Sequence, residues 1–93
     1  MRNLKFEDFS GHVGQDYEVP VQGGSLKLNL EAAQAIPGSI REGGGFRLVF
    51  RGPLQPQLIQ ATYIFRRGGY DDQIFVVPVA ADQRGIQYEA IFY

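Results

Sequence analysis

Cysteine and tryptophan are absent from this 93-residue chain, and histidine occurs once, at position 12. Without cysteine there is no disulfide bond, no thiolate metal site and no cysteine nucleophile. The three serines, Ser10, Ser25 and Ser39, do not stand in the G-x-S-x-G setting of a hydrolase nucleophile. These shortages predict a protein that is not an enzyme and that carries no cofactor, no metal site and no catalytic residue.

Long apolar runs are also missing. No segment approaches the ~20 apolar residues of a membrane helix, and residues 1–5 lack the apolar region of a secretory signal. We therefore expect no membrane insertion, and either a cytoplasmic location or export without a cleaved signal.

Charge of one sign is scarce as well. Nine basic side chains nearly cancel ten acidic ones, which leaves a formal net charge of −1. Nucleic-acid binding depends on neutralising phosphates, so this balance predicts no nucleic-acid partner. A net charge near zero also gives little repulsion between copies, which favours self-association.

The second half of the chain carries four β-strand signals separated by turn formers. The turns are indicated by Gly52-Pro53, by Gly68-Gly69 and by the cluster from Asp82 to Gly85. The acidic pair that follows Gly68-Gly69 is interpreted as a solvated turn. The predicted strands are Phe46–Arg51, Leu58–Arg67, Gln73–Ala80 and Ile86–Tyr93.

The first half of the chain adds a helix and a hairpin. Apolar residues at positions 6, 9 and 13 have helical spacing, and nearby glycines limit this helix to about two turns at one end of the sheet. Strands are predicted at Asp16–Val21 and Leu26–Leu30, joined by a turn at residues 22–25. Residues 31–35 fit either a helical turn or more strand, and residues 42–45 are predicted to form a flexible loop.

Together these segments predict one all-β domain over residues 1–93. The expected architecture is a small antiparallel barrel or sandwich of about six strands, with one short N-terminal helix. Pro20 and Pro78 lack the amide hydrogen that a sheet requires, so each is expected at an edge or a bulge.

Alternation assigns the strand residues to two faces. The inner face is predicted to hold Phe46, Leu48, Phe50, Ala61, Tyr63, Phe65, Phe75, Val77, Val79, Ile86, Tyr88, Ala90 and Phe92. The outer face is not purely polar, as a solvated sheet face should be. Its apolar members, together with the last residue, form the predicted interface: Val49, Ile64, Val76, Ile91 and Tyr93. Either the chain itself or a partner must cover this strip.

Four groups of residues resemble catalytic, metal or nucleic-acid sites, and for each group the sequence favours a structural role. His12 stands beside a predicted helix end without the neighbours of a catalytic triad. Asp71-Asp72 lacks the D-x-D-x-D-G spacing of a calcium loop. Glu89 is expected to pair with Arg47 or Arg66 across neighbouring strands. The arginines on the sheet face away from the aromatic residues, which disfavours a platform for single-stranded nucleic acid.

Several segments of the chain resemble a known family. They are the block FRLVFRGP at residues 46–53, Thr62-Tyr63, FVVPV at 75–79, Gly85 and YEAIF at 88–92. The chain is similar, over most of its length, to a family of small uncharacterised bacterial all-β domains. Members of that family are often encoded near proteins with phage tail-collar domains. The resemblance implies an accessory or structural component of a tail-fibre-like or surface assembly, and it implies no activity, cofactor or catalytic residue.

The sequence leaves three hypotheses for the function of the protein. The first is a structural or protein-interaction module that binds a protein partner or a second copy. The second is a barrel that binds a small ligand in a cavity lined by Tyr17, Tyr63, Tyr88 and Phe75. The third is an enzyme that uses Glu89 or His12, which requires the two to share a cleft.

Overall fold

A computed structural model describes residues 3–41 and 43–93 of the chain. Glu42, in the predicted flexible loop, lies outside the described residues, as do Met1 and Arg2. One helix precedes six strands. The elements are α1 (Glu7–Ser10), β1 (Asp16–Val21), β2 (Gly24–Ile36), β3 (Gly45–Gly52), β4 (Ala61–Arg67), β5 (Tyr70–Asp82) and β6 (Gly85–Phe92).

The six strands form a closed antiparallel barrel in the order β1-β2-β3-β6-β5-β4. Strands β1 to β3 follow one another around the wall as one meander, and β4 to β6 form a second meander after the connection at residues 53–60. This confirms the all-β prediction and selects a barrel. Because the ring is closed, two of its six strand pairs, β3 with β6 and β1 with β4, join segments that are distant in the chain.

These two long-range pairs differ in extent. The register of β3 with β6 runs from Phe46↔Phe92 to Gly52↔Ile86. The register of β1 with β4 holds the single pair Glu18↔Arg66. Pro20 follows in β1 and has no amide hydrogen to donate, which is consistent with the short pairing here.

Strand β5 divides its pairing between two neighbours. Its first half, Tyr70 to Val76, pairs with β4, and its second half, from Val77 onward, pairs with β6. The register with β6 shifts between Pro78 and Ala80, so the predicted irregularity at Pro78 is confirmed as a bulge.

Aromatic and aliphatic side chains fill the barrel interior. Phe50, Phe65 and Tyr17 pack against one another, with ring centroids 4.6–6.4 Å apart. Tyr88 is also buried, and its hydroxyl accepts a hydrogen bond of 2.8 Å from the backbone N–H of Leu58. That bond fastens the connection between the two meanders to the core. The interior is therefore packed with the protein's own side chains.

Helix α1 closes one end of the barrel, as predicted, although it has only four residues. Phe9 is fully buried and lies 5.9 Å from the Phe46 ring. At the same end, the Arg41 guanidinium donates 2.6 Å to the backbone oxygen of Leu4 and lies 5.3 Å from the centre of the Phe46 ring. This arginine ties the β2–β3 connection to the segment before α1.

Strand β2 extends to Ile36, which selects the continued strand over the helical turn for residues 31–35. Two sequence expectations are corrected. Strand β4 begins at Ala61, after the predicted start at Leu58. Strand β5 begins at Tyr70, which places the acidic pair 71–72 inside a strand.

The faces of β5 are also the reverse of the prediction over its first half. Ile74 and Val76 are buried in the core, whereas Phe75 is half exposed. The reason is the pairing with β4: Ile74 lies opposite Tyr63 and Val76 opposite Ala61, both of which face inward. On β3, β4 and β6 the assigned faces are those of the structure.

Candidate functional site

An apolar patch lies on the outer surface where β4, β5 and β6 meet. We define the apolar outer patch by Ile64, Phe75, Val77 and Ile91. Phe75 pairs with Thr62 and Ile64 with Gln73, which makes Ile64 and Phe75 diagonal neighbours on one face. Val77 lies opposite Glu89 at the end of the β5–β6 register, and Phe75 and Ile91 each lie two residues beyond this pair on their own strands. Ile64, Phe75 and Ile91 are 37%, 51% and 50% exposed.

Four of the five predicted interface residues lie outside the barrel interior, and one does not. Ile64, Ile91 and Tyr93 are exposed, and Val49 faces outward but is nearly covered by its surroundings. Val76 is fully buried in the core, so its assignment to the outer surface was wrong. Its two neighbours, Phe75 and Val77, occupy the place predicted for it.

Charged side chains cover the adjoining outer surface of β2, β3 and β6. Arg47 Nε contacts the Glu89 carboxylate at 2.5 Å, which bears out the predicted pairing of Glu89. Arg51 lies 2.6 Å from Glu31 and 2.9 Å from Asp82. Each of these arginines thus has a carboxylate from its own chain. The outer surface is divided into a charge-compensated region and an apolar one.

The carboxylates of Glu31 and Asp82 are held in the ionised form by their hydrogen bonds. The hydrogen bond from Arg51, followed by that from Gln87, lowers the pKa of Glu31 below its ordinary value of 4.5. The backbone N–H of Arg84, which lies 2.8 Å from Asp82 Oδ1, together with Arg51, lowers the pKa of Asp82 below 3.8. Both groups favour the folded state when they are charged.

These shifts predict a loss of stability in acid. A carboxyl group with a lowered pKa in the folded state contributes stability above its unfolded pKa, and this is lost as the pH falls through the folded pKa. We expect the melting temperature to decline below about pH 4.5, and Glu31→Gln to flatten that decline while costing up to about 1 kcal/mol at pH 7. Thermal melts between pH 2 and 7 measure this, with Glu18→Gln as the matched control. A profile of Glu31→Gln that parallels the wild type would contradict the assignment.

A polar cleft of about 280 Å³ lies at the α1 end of the barrel, beside the β4–β5 turn. We call it the end cleft. Its lining residues are Glu7, Asp8, His12, Tyr17, Arg67, Gly68, Tyr70 and Asp72. Asp72 is only 4% exposed, so the prediction of a solvated turn was wrong for this residue. It faces inward because it pairs with Phe65, a core residue.

His12 and Glu89 lie in different places. His12 lines the end cleft, whereas Glu89 lies on the outer surface of β6 beside Arg47 and is not part of that lining. Nor do the four predicted ligand-binding aromatics share a cavity: Tyr88 is in the core, Phe75 is outside, and of the four only Tyr17 reaches the end cleft. Within residues 3–41 and 43–93, no group of three or more histidine or acidic side chains is placed to hold a metal ion.

No local pattern in the sequence links His12 with the acidic pair 71–72. The structure joins them because α1 folds back over the barrel end that the β4–β5 turn also reaches. In the described part of the chain, no helix is long and apolar enough to cross a membrane.

A family model described as "Domain of unknown function (DUF6916)" matches residues 4–92. The matched span includes α1, all six strands and both surfaces described above. No curated protein and no solved structure matches the chain.

Proposed function

The chain belongs to the DUF6916 family of domains of unknown function, and from this premise we propose that it is a non-enzymatic module for protein–protein interaction. Its interacting surface is the apolar outer patch, and its first partner is a second copy of the same chain. The observation that carries the proposal is the half exposure of the apolar side chains of Phe75 and Ile91, on neighbouring strands of a barrel whose interior is already filled. Contiguous exposed apolar surface favours association, because burying it removes it from water.

The charges around the patch support a second copy as the occupant. Arg47, Arg51 and Arg66 each lie within 4 Å of a carboxylate in their own chain. The whole chain has a formal charge of −1. Two copies can therefore approach with little electrostatic repulsion.

The resemblance noted from the sequence extends this proposal to a biological setting. A small barrel that associates through one face suits an accessory or structural component of a tail-fibre-like or surface assembly. In such an assembly the same patch would contact either another copy or a neighbouring component. The ligand-binding alternative for the barrel interior is not favoured, since Tyr88 and its neighbours pack against one another.

Light scattering over a concentration series tests the proposal. We expect the wild-type chain to form a discrete oligomer at tens of micromolar, and Phe75→Asp to weaken this association at least tenfold because it places a charge in the patch. Ile40→Asp is the matched control. Ile40 is almost fully exposed in the β2–β3 connection and is not one of the residues that define the patch, so its replacement should leave association unchanged.

Two results would contradict self-association through the patch. One is a wild-type chain that stays monomeric across the series. The other is an oligomer that Phe75→Asp and Ile40→Asp affect equally. In either case a direct binding assay with the products of neighbouring genes would test the second occupant, a different component of the assembly.

A further inference from the structure

From Val77 onward, strand β5 has a neighbouring strand on one side only. It pairs with β6 as far as Asp82. On the other side, its pairing with β4 ends at Val76, which lies opposite Ala61, the first residue of β4. In the described part of the chain, no backbone hydrogen bond from outside the sheet reaches this half of β5, so the connection at residues 53–60 does not pair with it. The second half of β5 is therefore an unpaired strand edge.

The end of this half-strand is exposed on both faces. In the first half of β5, buried and exposed residues alternate from Asp72 to Val76, as expected in a barrel wall. The last four residues, 79–82, are all exposed, and we define them as the free edge. A strand edge that is exposed in this way presents backbone donors and acceptors to another strand.

The turn at residues 83–84 determines which backbone groups point to the free side. Asp82 pairs with Gly85 across this two-residue turn, so the backbone groups of Asp82 point toward β6. In an antiparallel ladder these groups alternate between the two sides of a strand, so the N–H and C=O of Ala81 point away from β6. Pro78 has no amide hydrogen and adjoins the bulge, which keeps the free edge short.

We propose that the free edge pairs with the free edge of a second copy of the chain. The two strands run antiparallel about a two-fold axis at Ala81, and Ala81 of each copy donates its N–H to the C=O of Ala81 of the other. The small side chains of Ala80 and Ala81 allow the two edges to approach closely. Because the contact is isologous, each chain supplies the extended strand that the other one needs.

The charges near the free edge support a second copy as the occupant. Residues 74–81 contain no charged side chain. The carboxylate of Asp82 lies 2.9 Å from Arg51, and the guanidinium of Arg84 lies 3.6 Å from Glu31. Each charge beside the edge thus has a partner of opposite sign in its own chain. Two such edges can meet with little electrostatic repulsion.

The free edge and the apolar outer patch are separate surfaces of β5. The edge lies along the side of the strand, whereas Phe75 and Val77 of the patch lie on its outer face. The pairing of two free edges therefore does not depend on association through the patch. The variant Phe75→Asp, which places a charge in the patch, should still pair through its free edge.

Solution NMR of ¹⁵N-labelled Phe75→Asp tests the edge without the patch. Two hydrogen bonds between small residues make a weak contact, and we expect a Kd on the order of 1 mM. As the protein concentration rises from micromolar to millimolar, the amide proton of Ala81 should move downfield along a saturable curve for two copies. The amide proton of Val49, whose strand is paired on both sides, should not move.

Two variants at one position connect the association to the backbone of Ala81. Ala81→Pro removes the outward N–H without removing a bond to β6, and proline is tolerated at strand edges. In the Phe75→Asp background, Ala81→Pro should abolish the self-association that sedimentation equilibrium measures at millimolar concentration. Ala81→Ser keeps the N–H and is the matched control, so it should associate as the parent does.

Two results would overturn pairing with a second copy. One is an Ala81 amide proton that is insensitive to concentration, a measurement that stands even if Ala81→Pro does not fold. That result would leave the edge to an extended segment of a different protein. The other is association that Ala81→Pro retains. Neither result bears on the patch, because the patch is tested by the loss of wild-type association in Phe75→Asp and the edge by the association that this variant keeps.

Discussion

Replacing Gly85 by alanine is expected to destabilise the barrel by at least about 3 kcal/mol. Gly85 begins β6 with φ +130°, a backbone conformation that side chains rarely adopt. An added Cβ would stand 2.1 Å from the carbonyl oxygen of Gly52, at the end of the β3–β6 pairing. Neither the added Cβ nor the Gly52 oxygen can move without shifting a strand. The backbone strain and the steric overlap therefore both destabilise the folded state.

Gly23→Ala is the matched control for this change. Gly23 also has a positive φ, +86°, and lies in the turn between β1 and β2, but an added Cβ there meets nothing within 4 Å. We expect only the conformational cost, about 1–2 kcal/mol. In thermal melts, Gly85→Ala should lower the melting temperature by roughly 12 °C or more. Equal losses in the two variants would mean that the overlap with Gly52 is relieved at little cost.

The second large effect concerns the two faces of β5. Val76→Asp is expected to cost about 4 kcal/mol or more, a large part of the ~5–15 kcal/mol stability of a typical domain, because it places a carboxylate in the apolar core. Phe75→Asp, one residue earlier, places the same group on the outer surface and should change stability by about 1 kcal/mol or less.

Urea unfolding followed by circular dichroism compares these two variants directly. A folded Phe75→Asp beside an unfolded Val76→Asp would support the register of Ile74 with Tyr63 and Val76 with Ala61. The reverse order of stabilities would mean that the strand is paired one residue out of step. The same measurement ensures that the loss of association expected for Phe75→Asp is not a loss of folding.

The faces of β5 show where alternation stops being informative. Residues 74–79 read IFVVPV, so both faces are apolar and neither assignment is preferred by composition. The turn that precedes residues 74–79 determines which of them face the core. Arg67 pairs with Tyr70 across Gly68-Gly69, and a two-residue turn of this kind fixes the register of the whole hairpin. Treating Gly68-Gly69 as the entire turn would have placed Asp72 and Ile74 opposite inward-facing residues of β4.

Elsewhere the sequence was sufficient. On β3 and β6, arginine, glutamine and glutamate alternate with Phe46, Phe50 and Tyr88, so the core side of each strand is unambiguous. Opposite charges on the outer face also predicted that Glu89 pairs with Arg47 or Arg66, and the structure selects Arg47. The end cleft could not be found in this way, because it depends on closure of the ring, which brings residues 7–17 beside residues 67–72. No local pattern encodes that approach.

The unequal long-range pairs of the ring have a consequence for how the barrel assembles and opens. Within each meander, strands that are adjacent in the wall are also adjacent in the chain, so each pairing has a small loop-closure cost. Closing the ring requires two non-local pairings, whose loop-closure cost is larger. The extended β3–β6 register supplies a firm joint between the halves, and the single pair Glu18↔Arg66 supplies a weak one. We therefore expect local opening of the barrel to separate β1 from β4 while the β3–β6 pairing stays intact.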